Sequence, residues 1–145
     1  MKFILTLIFL SAAVGAAAIS GCIGGEAPDA SGGDETVKSE IQGVLDRQCD
    51  AIKSKDIDAL MATFDREYSK NYNQMKAGWE GAFSDVNVTD CKMTAAGLKI
   101  TGDTASVKVE GTMTSVLLST GKTKTENFTE QDNFRKAVSE WKQVY

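Results

Sequence analysis

Histidine is absent from all 145 residues. That gap removes the commonest general base, the commonest zinc ligand and every Ser-His-Asp or Cys-His arrangement. Apart from the adjacent Arg135 and Lys136, lysines and arginines are spaced singly, so the cationic stripe that binding to a phosphate backbone needs is missing, and a nucleic-acid partner is not expected. The three cysteines form no C-x-x-C pair, which argues against redox catalysis, and the acids are scattered without the D-x-D-x-D-G spacing of a cation loop, so no metal site is expected. Proline occurs once, at Pro28. What remains is ordinary for one globular domain, with 42% hydrophobic and 25% charged residues. The formal charge is −4, and because residues 1–21 hold Lys2 and no acid, the rest of the chain is one unit more negative than the whole.

The longest apolar run lies at the N-terminus. Phe3 to Ile19 carry no charge, Lys2 provides a short positive flank, and Ala16, Ala17 and Ala18 shift the run from bulky to small side chains. This is the layout of an export signal. Ile19-Ser20-Gly21-Cys22 resembles a lipobox, the cleavage site of prokaryotic lipoproteins: an aliphatic residue, two small ones, then cysteine. The resemblance implies that Cys22 receives a diacylglyceryl group and becomes the lipidated N-terminus once residues 1–21 are removed. Two or more acyl chains, such as palmitate, hold a protein stably on a membrane at roughly 0.8 kcal/mol per buried methylene. The alternatives are an ordinary signal or an uncleaved anchor, since Phe3 to Ile23 approaches the roughly 20 residues that span a bilayer. Each reading leaves the body at the cell membrane or beyond it, on the extracytoplasmic side. Residues 22–35, rich in glycine and acids, read as a flexible linker.

The folded domain is expected over residues 36–145. Between Thr36 and Lys53, Ile41, Val44, Leu45, Cys49 and Ile52 recur three and four apart, the signature of one helix face. A second, short helix has Asp56 as its cap and Ile57, Leu60, Met61 and Phe64 as its stripe. A third, from about Asn73 to Phe83, spaces Met75, Trp79 and Phe83 four apart. From Val86 onward threonines, valines and two-residue alternation take over, broken at TGDT, STGK and AVSE. Four strands fit: 86–100, bulged or broken inside, then 105–119, 124–136 and 140–145. In the second, Ala105, Val107, Val109 and Met113 share one face, and Lys108, Glu110, Thr112 and Thr114 the other, so one side of the sheet is buried and one is wet. Helices followed by a strand meander make an α+β order, with helices packed on the concave face of a curved antiparallel sheet.

That order resembles the nuclear transport factor two-like superfamily, the cystatin-like cone shared with ketosteroid isomerases and polyketide cyclases. KSKDIDALMATFDREY looks like its second-helix motif, GDTASVKVEG like its mid-sheet turn and strand, and DNFRKAVSEWKQV like its final hairpin with an inward tryptophan. SEWK departs from the Gly-x-Trp-Lys usual in that hairpin, which leaves the form of the turn open. The resemblance implies a pocket between the helices and the sheet, which hosts many unrelated chemistries or none.

An isomerase of this superfamily needs a base carboxylate, a tyrosine and a neutral aspartate. Counting from KDIDAL, the base falls near Tyr72 and the tyrosine near Gln48, and neither residue is of the required type. Asp132 alone is similar in position to the oxyanion-binding aspartate; its other reading is a solvated strand acid beside Arg135 or Lys136. Gln48, Tyr68, Tyr72 and Trp79 are candidates for the mouth of the cone, offering aromatic walls and hydrogen bonds to a small ligand, against core packing with hydroxyls at the edge. Glu110 falls on the wet face by strand parity, and Asp65 follows a helix end. Cys49 and Cys91 are a candidate disulfide in an exported protein, or buried thiols behaving as small hydrophobes.

The functional expectation is a lipid-anchored extracytoplasmic module that binds a small molecule or an envelope protein, with no cofactor and no defined catalytic activity. One rival is an enzyme of isomerase, cyclase or hydrolase type using Asp132 with tyrosine hydroxyls. The other is a homodimer formed through the outer sheet face, where Val116 and Leu118 interrupt a polar row.

Overall fold

Helical spacing of Ile41, Val44, Leu45 and Ile52 becomes the buried face of α1 (Ser31–Ser54) in the computed structural model, which describes residues 31–145. The expected signal, the lipobox-like stretch with Cys22, and the expected linker up to residue 30 lie outside the described residues. Ser31–Glu35, expected to end the linker, are already helical, with the acid Asp34 favourably placed in the first turn. After Lys55, whose positive φ of 57° turns the chain, α2 (Ile57–Ala62) starts at Asp56; the Asp56 carboxylate accepts from the Ala59 amide at 2.9 Å. Phe64, expected on the α2 stripe, falls beyond its end, because Thr63 closes the helix and Phe64 instead bridges to Gln143. α3 (Tyr72–Asp85) follows, then β1 (Val86–Thr101), β2 (Thr104–Leu117), β3 (Thr123–Ala137) and β4 (Glu140–Val144). None of the helices among the described residues is long and apolar enough to cross a membrane.

The four strands form one antiparallel sheet in the order β1-β2-β3-β4. β1 explains its irregular sequence through two bulges, at the register shifts between Val88 and Asp90 and between Ala95 and Gly97. Each bulge inserts one residue and so reverses which parity faces inward. The inward set therefore runs Val86 and Val88, then Cys91, Met93 and Ala95, then Leu98 and Ile100. Without the bulges, three of these seven side chains, Cys91, Met93 and Ala95, would face water. On β2 the expected alternation holds: Ala105, Val107 and Val109 are buried while Lys108 and Glu110 are exposed.

Two clusters hold the layers together. Ile41, Val44 and Leu45 of α1 pack on Ala95, Val107, Val109, Phe134 and Trp141, and Ile52 joins Leu60, Phe64 and Val88. Each fully buried Leu, Ile or Phe contributes about 1.5–3 kcal/mol. A disulfide joins Cys49 of α1 to Cys91 of β1, with their Cα atoms 5.3 Å apart. It pins the helix to the sheet within the second cluster. On the outer face, Thr112 donates to Asn127 at 2.7 Å and the Thr114 and Thr125 hydroxyls pair at 2.9 Å. Val116 in that row is half-buried and Leu118, past the strand end, is exposed.

Candidate functional site

α1 and the sheet bury their apolar faces in each other, but α3 does not follow this pattern. Its stripe of Met75, Trp79 and Phe83 is only half-buried, and Ala82 is its single buried residue. All three pack against the second cluster, and Met75 and Trp79 also face a cavity. Between α3, the end of α1 and the inner face of the sheet lies a space of about 490 Å³, within the range of small-molecule sites. Its walls are mostly apolar: Trp79 and Met75 from α3, Met93 and Met113 from the sheet, and Phe128 and Leu60.

Polar groups converge at one part of this wall. Gln48 stands on the buried face of α1, where the helical pattern would place an apolar residue, and is 4% exposed. Its amide orientation is fixed by its neighbours. The Thr63 hydroxyl donates to the Leu60 carbonyl at 2.6 Å, so it must accept from the Gln48 nitrogen, which lies 3.0 Å away. The second hydrogen on that nitrogen goes to Gln143 Oε1, at 2.7 Å. With its oxygen so engaged, Gln143 presents its own amide N–H to the Asp132 carboxylate. A directed relay thus runs from α2 through α1 and β4 to β3.

Asp132 and Glu130 occupy successive inward positions of β3, between Phe128 and Phe134. Burial, and next the neighbouring charge of Glu130, push the Asp132 carboxyl up to about 7, against the lowering effect of the Gln143 hydrogen bond. Asp132 is therefore not the solvated acid beside Arg135 or Lys136 that was its second reading. Arg135 pairs with Asp65 at 3.5 Å and lies over the Tyr68 ring, 3.8 Å from its centroid; Lys136 pairs with Glu40 at 2.7 Å. Both cations are held away from Asp132.

Of the residues expected at the mouth, Gln48, Trp79 and Asp132 line the cavity and Tyr68 and Tyr72 do not. Tyr68 is exposed and stacked beneath Arg135. Tyr72 opens α3 and turns to the opposite side, where its hydroxyl donates to the Met61 carbonyl at 3.0 Å and its ring borders a second, shallow groove. The proton-transfer arrangement of Asp132 with either of these tyrosines is not assembled. Met61 and Phe134 are buried and do not line this cavity. Asp65, set aside as a residue past a helix end, is buried, and its carboxylate accepts from the Glu67 and Tyr68 amides at 3.0 and 3.3 Å.

Glu130 and Gln143 escaped the sequence reading, although a signal existed. In FTEQDNF the alternation Phe128, Glu130, Asp132, Phe134 places both acids on the row of two phenylalanines, which marks that row as inward. Gln143 has no comparable mark, because only its pairing with the polar Gln48 gives it a role.

Residues 43–145 match the family described as Anti-sigma-I factor RsgI9, C-terminal domain. No curated protein sequence matches the chain. Among solved structures, a conserved protein from Planctomyces limnophilus superposes with a TM-score of 0.66 at 15% identity, covering 76% of this chain and 92% of that one. A ketosteroid isomerase-like protein from Erwinia carotovora atroseptica gives 0.62 at 17% identity over 74% and 90% of the two chains. A nuclear transport factor 2-like superfamily protein from Salmonella enterica serovar Typhimurium gives 0.62 at 16% over 76% and 87%. At these identities the likeness concerns the fold, which is the nuclear transport factor 2-like, cystatin-like cone.

Proposed function

We propose a small-molecule-binding function for this chain, which belongs to the family of the anti-sigma-I factor RsgI9 C-terminal domain. The observation that carries the reading is the cavity of about 490 Å³, apolar on most of its wall and polar at the Gln48, Gln143 and Asp132 relay. A well-formed apolar cavity with a few convergent polar groups is the usual build of a ligand site. The family takes its name from an anti-sigma factor, and a domain of a regulator needs something to respond to rather than a reaction to perform. That fits a cone in which neither Tyr68 nor Tyr72 joins Asp132.

We further propose that the domain is displayed outside the cytoplasm on a lipid attached to Cys22. The Cys49–Cys91 disulfide supports this, since such bonds persist in oxidising compartments. The resemblance of Ile19–Cys22 to a lipobox supports Cys22 as the point of attachment.

Native mass spectrometry of the full chain, released from detergent, tests the binding reading. A reproducible adduct of ligand size, lost on substituting Trp79 by a lysine that fills the cavity, is the expected result. A chain that carries no adduct from its host and gains none from a metabolite extract overturns it. Mass analysis of the mature N-terminus tests the anchor: an acylated Cys22 supports it, and an N-terminus at Met1 in the purified membrane fraction excludes it.

A further inference from the structure

Gln48 is 4% exposed and still has one polar atom unused. Its amide nitrogen directs both hydrogens to neighbours, one to the Thr63 hydroxyl at 3.0 Å and one to Gln143 Oε1 at 2.7 Å. Its Oε1 accepts from no described residue. Turning the amide over does not pair this oxygen. It would then meet the Thr63 oxygen, whose hydrogen already points at the Leu60 carbonyl at 2.6 Å. Nor is the oxygen sealed in the core: among the described residues no fully enclosed side-chain oxygen or nitrogen lacks a hydrogen-bond partner, so Gln48 Oε1 reaches open space. The open space that Gln48 borders is the cavity, and the shallow second groove does not touch it.

Resting on the ligand-binding reading above, we propose that the ligand is an apolar molecule with an uncharged hydrogen-bond donor, an alcohol, phenol or amide whose O–H or N–H is accepted by Gln48 Oε1. Its body lies against Trp79 and Met75 of α3 and against Met93 and Met113 of the sheet. Methionine side chains adapt to irregular apolar shapes, and an aromatic ring on the ligand gains sulfur contacts there. Such a wall holds many bodies, so selection falls to the polar end. A water molecule can donate to Oε1, and a ligand that displaces it must supply the same hydrogen bond. An ether, a tertiary amide or a hydrocarbon would cover the oxygen and leave it unpaired. An ammonium group brings a full charge and three N–H hydrogens, and one neutral oxygen does not replace its hydration shell.

Three elements fix which end of the amide meets the ligand. Thr63, at the end of α2, gives its hydrogen to Leu60 and so offers Gln48 only a lone pair; Gln143 of β4 offers its own oxygen. The amide oxygen of α1 is left for the cavity, held from behind by groups that do not themselves need the ligand. This explains a polar residue in the apolar stripe of α1, where a leucine would pack and recognise nothing. An oxyanion site turns donors toward its ligand. Gln48 turns an acceptor, the opposite polarity.

The experiment is equilibrium dialysis of the full chain, with matched detergent on both sides so that partition into micelles cancels. Two pairs of molecules are compared at pH 7: 4-phenylbutanol with its methyl ether, and 4-phenylbutanamide with its N,N-dimethyl form. In each pair the donor is expected to bind at least tenfold tighter than the capped molecule, the scale of leaving one buried acceptor unpaired. 4-Phenylbutylamine, charged at this pH, is expected to bind more weakly than the alcohol. Gln48→Met should erase the difference within each pair, with circular dichroism confirming the fold. Thr63→Val, which frees the amide to turn, should shrink the same difference although Thr63 does not line the cavity. Capped molecules binding as tightly as their donors, or the amine binding more tightly than the alcohol, overturn the proposal and leave the ligand-binding reading standing. Failure of every molecule to bind also overturns it, and the native adduct then decides the ligand-binding reading by itself. If neither variant folds, the two wild-type pairs decide the matter.

Discussion

Phe128 lies in the space that a side chain on Gly111 would need. The two residues are partners across β2 and β3, and a Cβ on Gly111 would stand 2.7 Å from both Cε atoms of the ring. Glycine inside a strand costs conformational entropy and forfeits packing. Here it admits an aromatic ring that closes the floor of the cavity, an arrangement known from glycines covered by cross-strand aromatics.

Substituting Gly111→Ala should therefore push the Phe128 ring into the cavity and destabilise the domain by about 1–3 kcal/mol, the usual range for overpacking. Thermal unfolding followed by circular dichroism reads this as a lowered midpoint. Adding Phe128→Leu should recover part of the loss, because the two changes share one contact. Equal melting of Gly111→Ala and wild type would show that the ring does not occupy that position.

The disulfide between Cys49 and Cys91 spans a sequence separation of 42 residues. In the chain-entropy account, closing a loop of that length removes about 4 kcal/mol of freedom from the unfolded chain. The Cys49→Ala/Cys91→Ala double variant should unfold at a clearly lower guanidinium concentration, and reductant should shift wild type the same way without moving the variant. A midpoint indifferent to reductant would mean that the thiols are unpaired in solution.

Much of this architecture is legible in the residues. The α1 stripe, the Asp56 cap and the β2 alternation each follow from one local rule, and each stands where its rule puts it. The limits are equally specific. β1 keeps its apolar face inward only because bulges fall after Val88 and Ala95, and a bulge is decided by pairing with β2 rather than by β1 alone. Tyr72 and Trp79 sit two helical turns apart on α3, yet one turns to the Met61 carbonyl and the other to the cavity, a division set by where α3 crosses the core. Gln48 reads as an interruption of an apolar stripe until Thr63 and Gln143 arrive from distant sequence to satisfy it.

The turn between β3 and β4 carries a local conflict that can be removed. Val138 and Ser139 form its tip between the paired residues Ala137 and Glu140, and Val138 has a φ of +56° with its side chain fully in solvent. A β-branched residue is strained in that region, where a two-residue hairpin normally takes glycine at its first position. The departure from the usual Gly-x-Trp-Lys thus shows itself one residue earlier, at Val138. Val138→Gly should raise stability by up to about 1 kcal/mol, the upper end of the left-handed penalty less the entropy that glycine adds to the unfolded chain. A lower melting midpoint in the variant would mean that the valine side chain makes a stabilising contact at the tip.

Asp132 gives the pH dependence of stability an unusual sign. Most native carboxylates are held below their ordinary range and contribute stability that disappears as pH falls. Asp132 is displaced the other way, from 3.8 to about 7, first by burial and then by Glu130. Between about pH 4 and pH 7 the folded chain keeps a proton that the unfolded chain has released, so this residue's contribution falls as pH rises, and it levels off above about 7. Asp132→Asn retains a neutral acceptor for Gln143 and removes the titration. The variant should match wild type near pH 4 and melt higher than wild type at pH 8, by an amount equivalent to about 1–2 kcal/mol once partial solvation of the site is allowed for. Glu40, whose carboxyl is lowered chiefly by its hydrogen bond to Lys136, adds an acid-side slope common to both chains that cancels in the difference. A wild-type minus variant difference that stays flat from pH 4 to pH 8 would show that Asp132 ionises in the folded chain as it does in water.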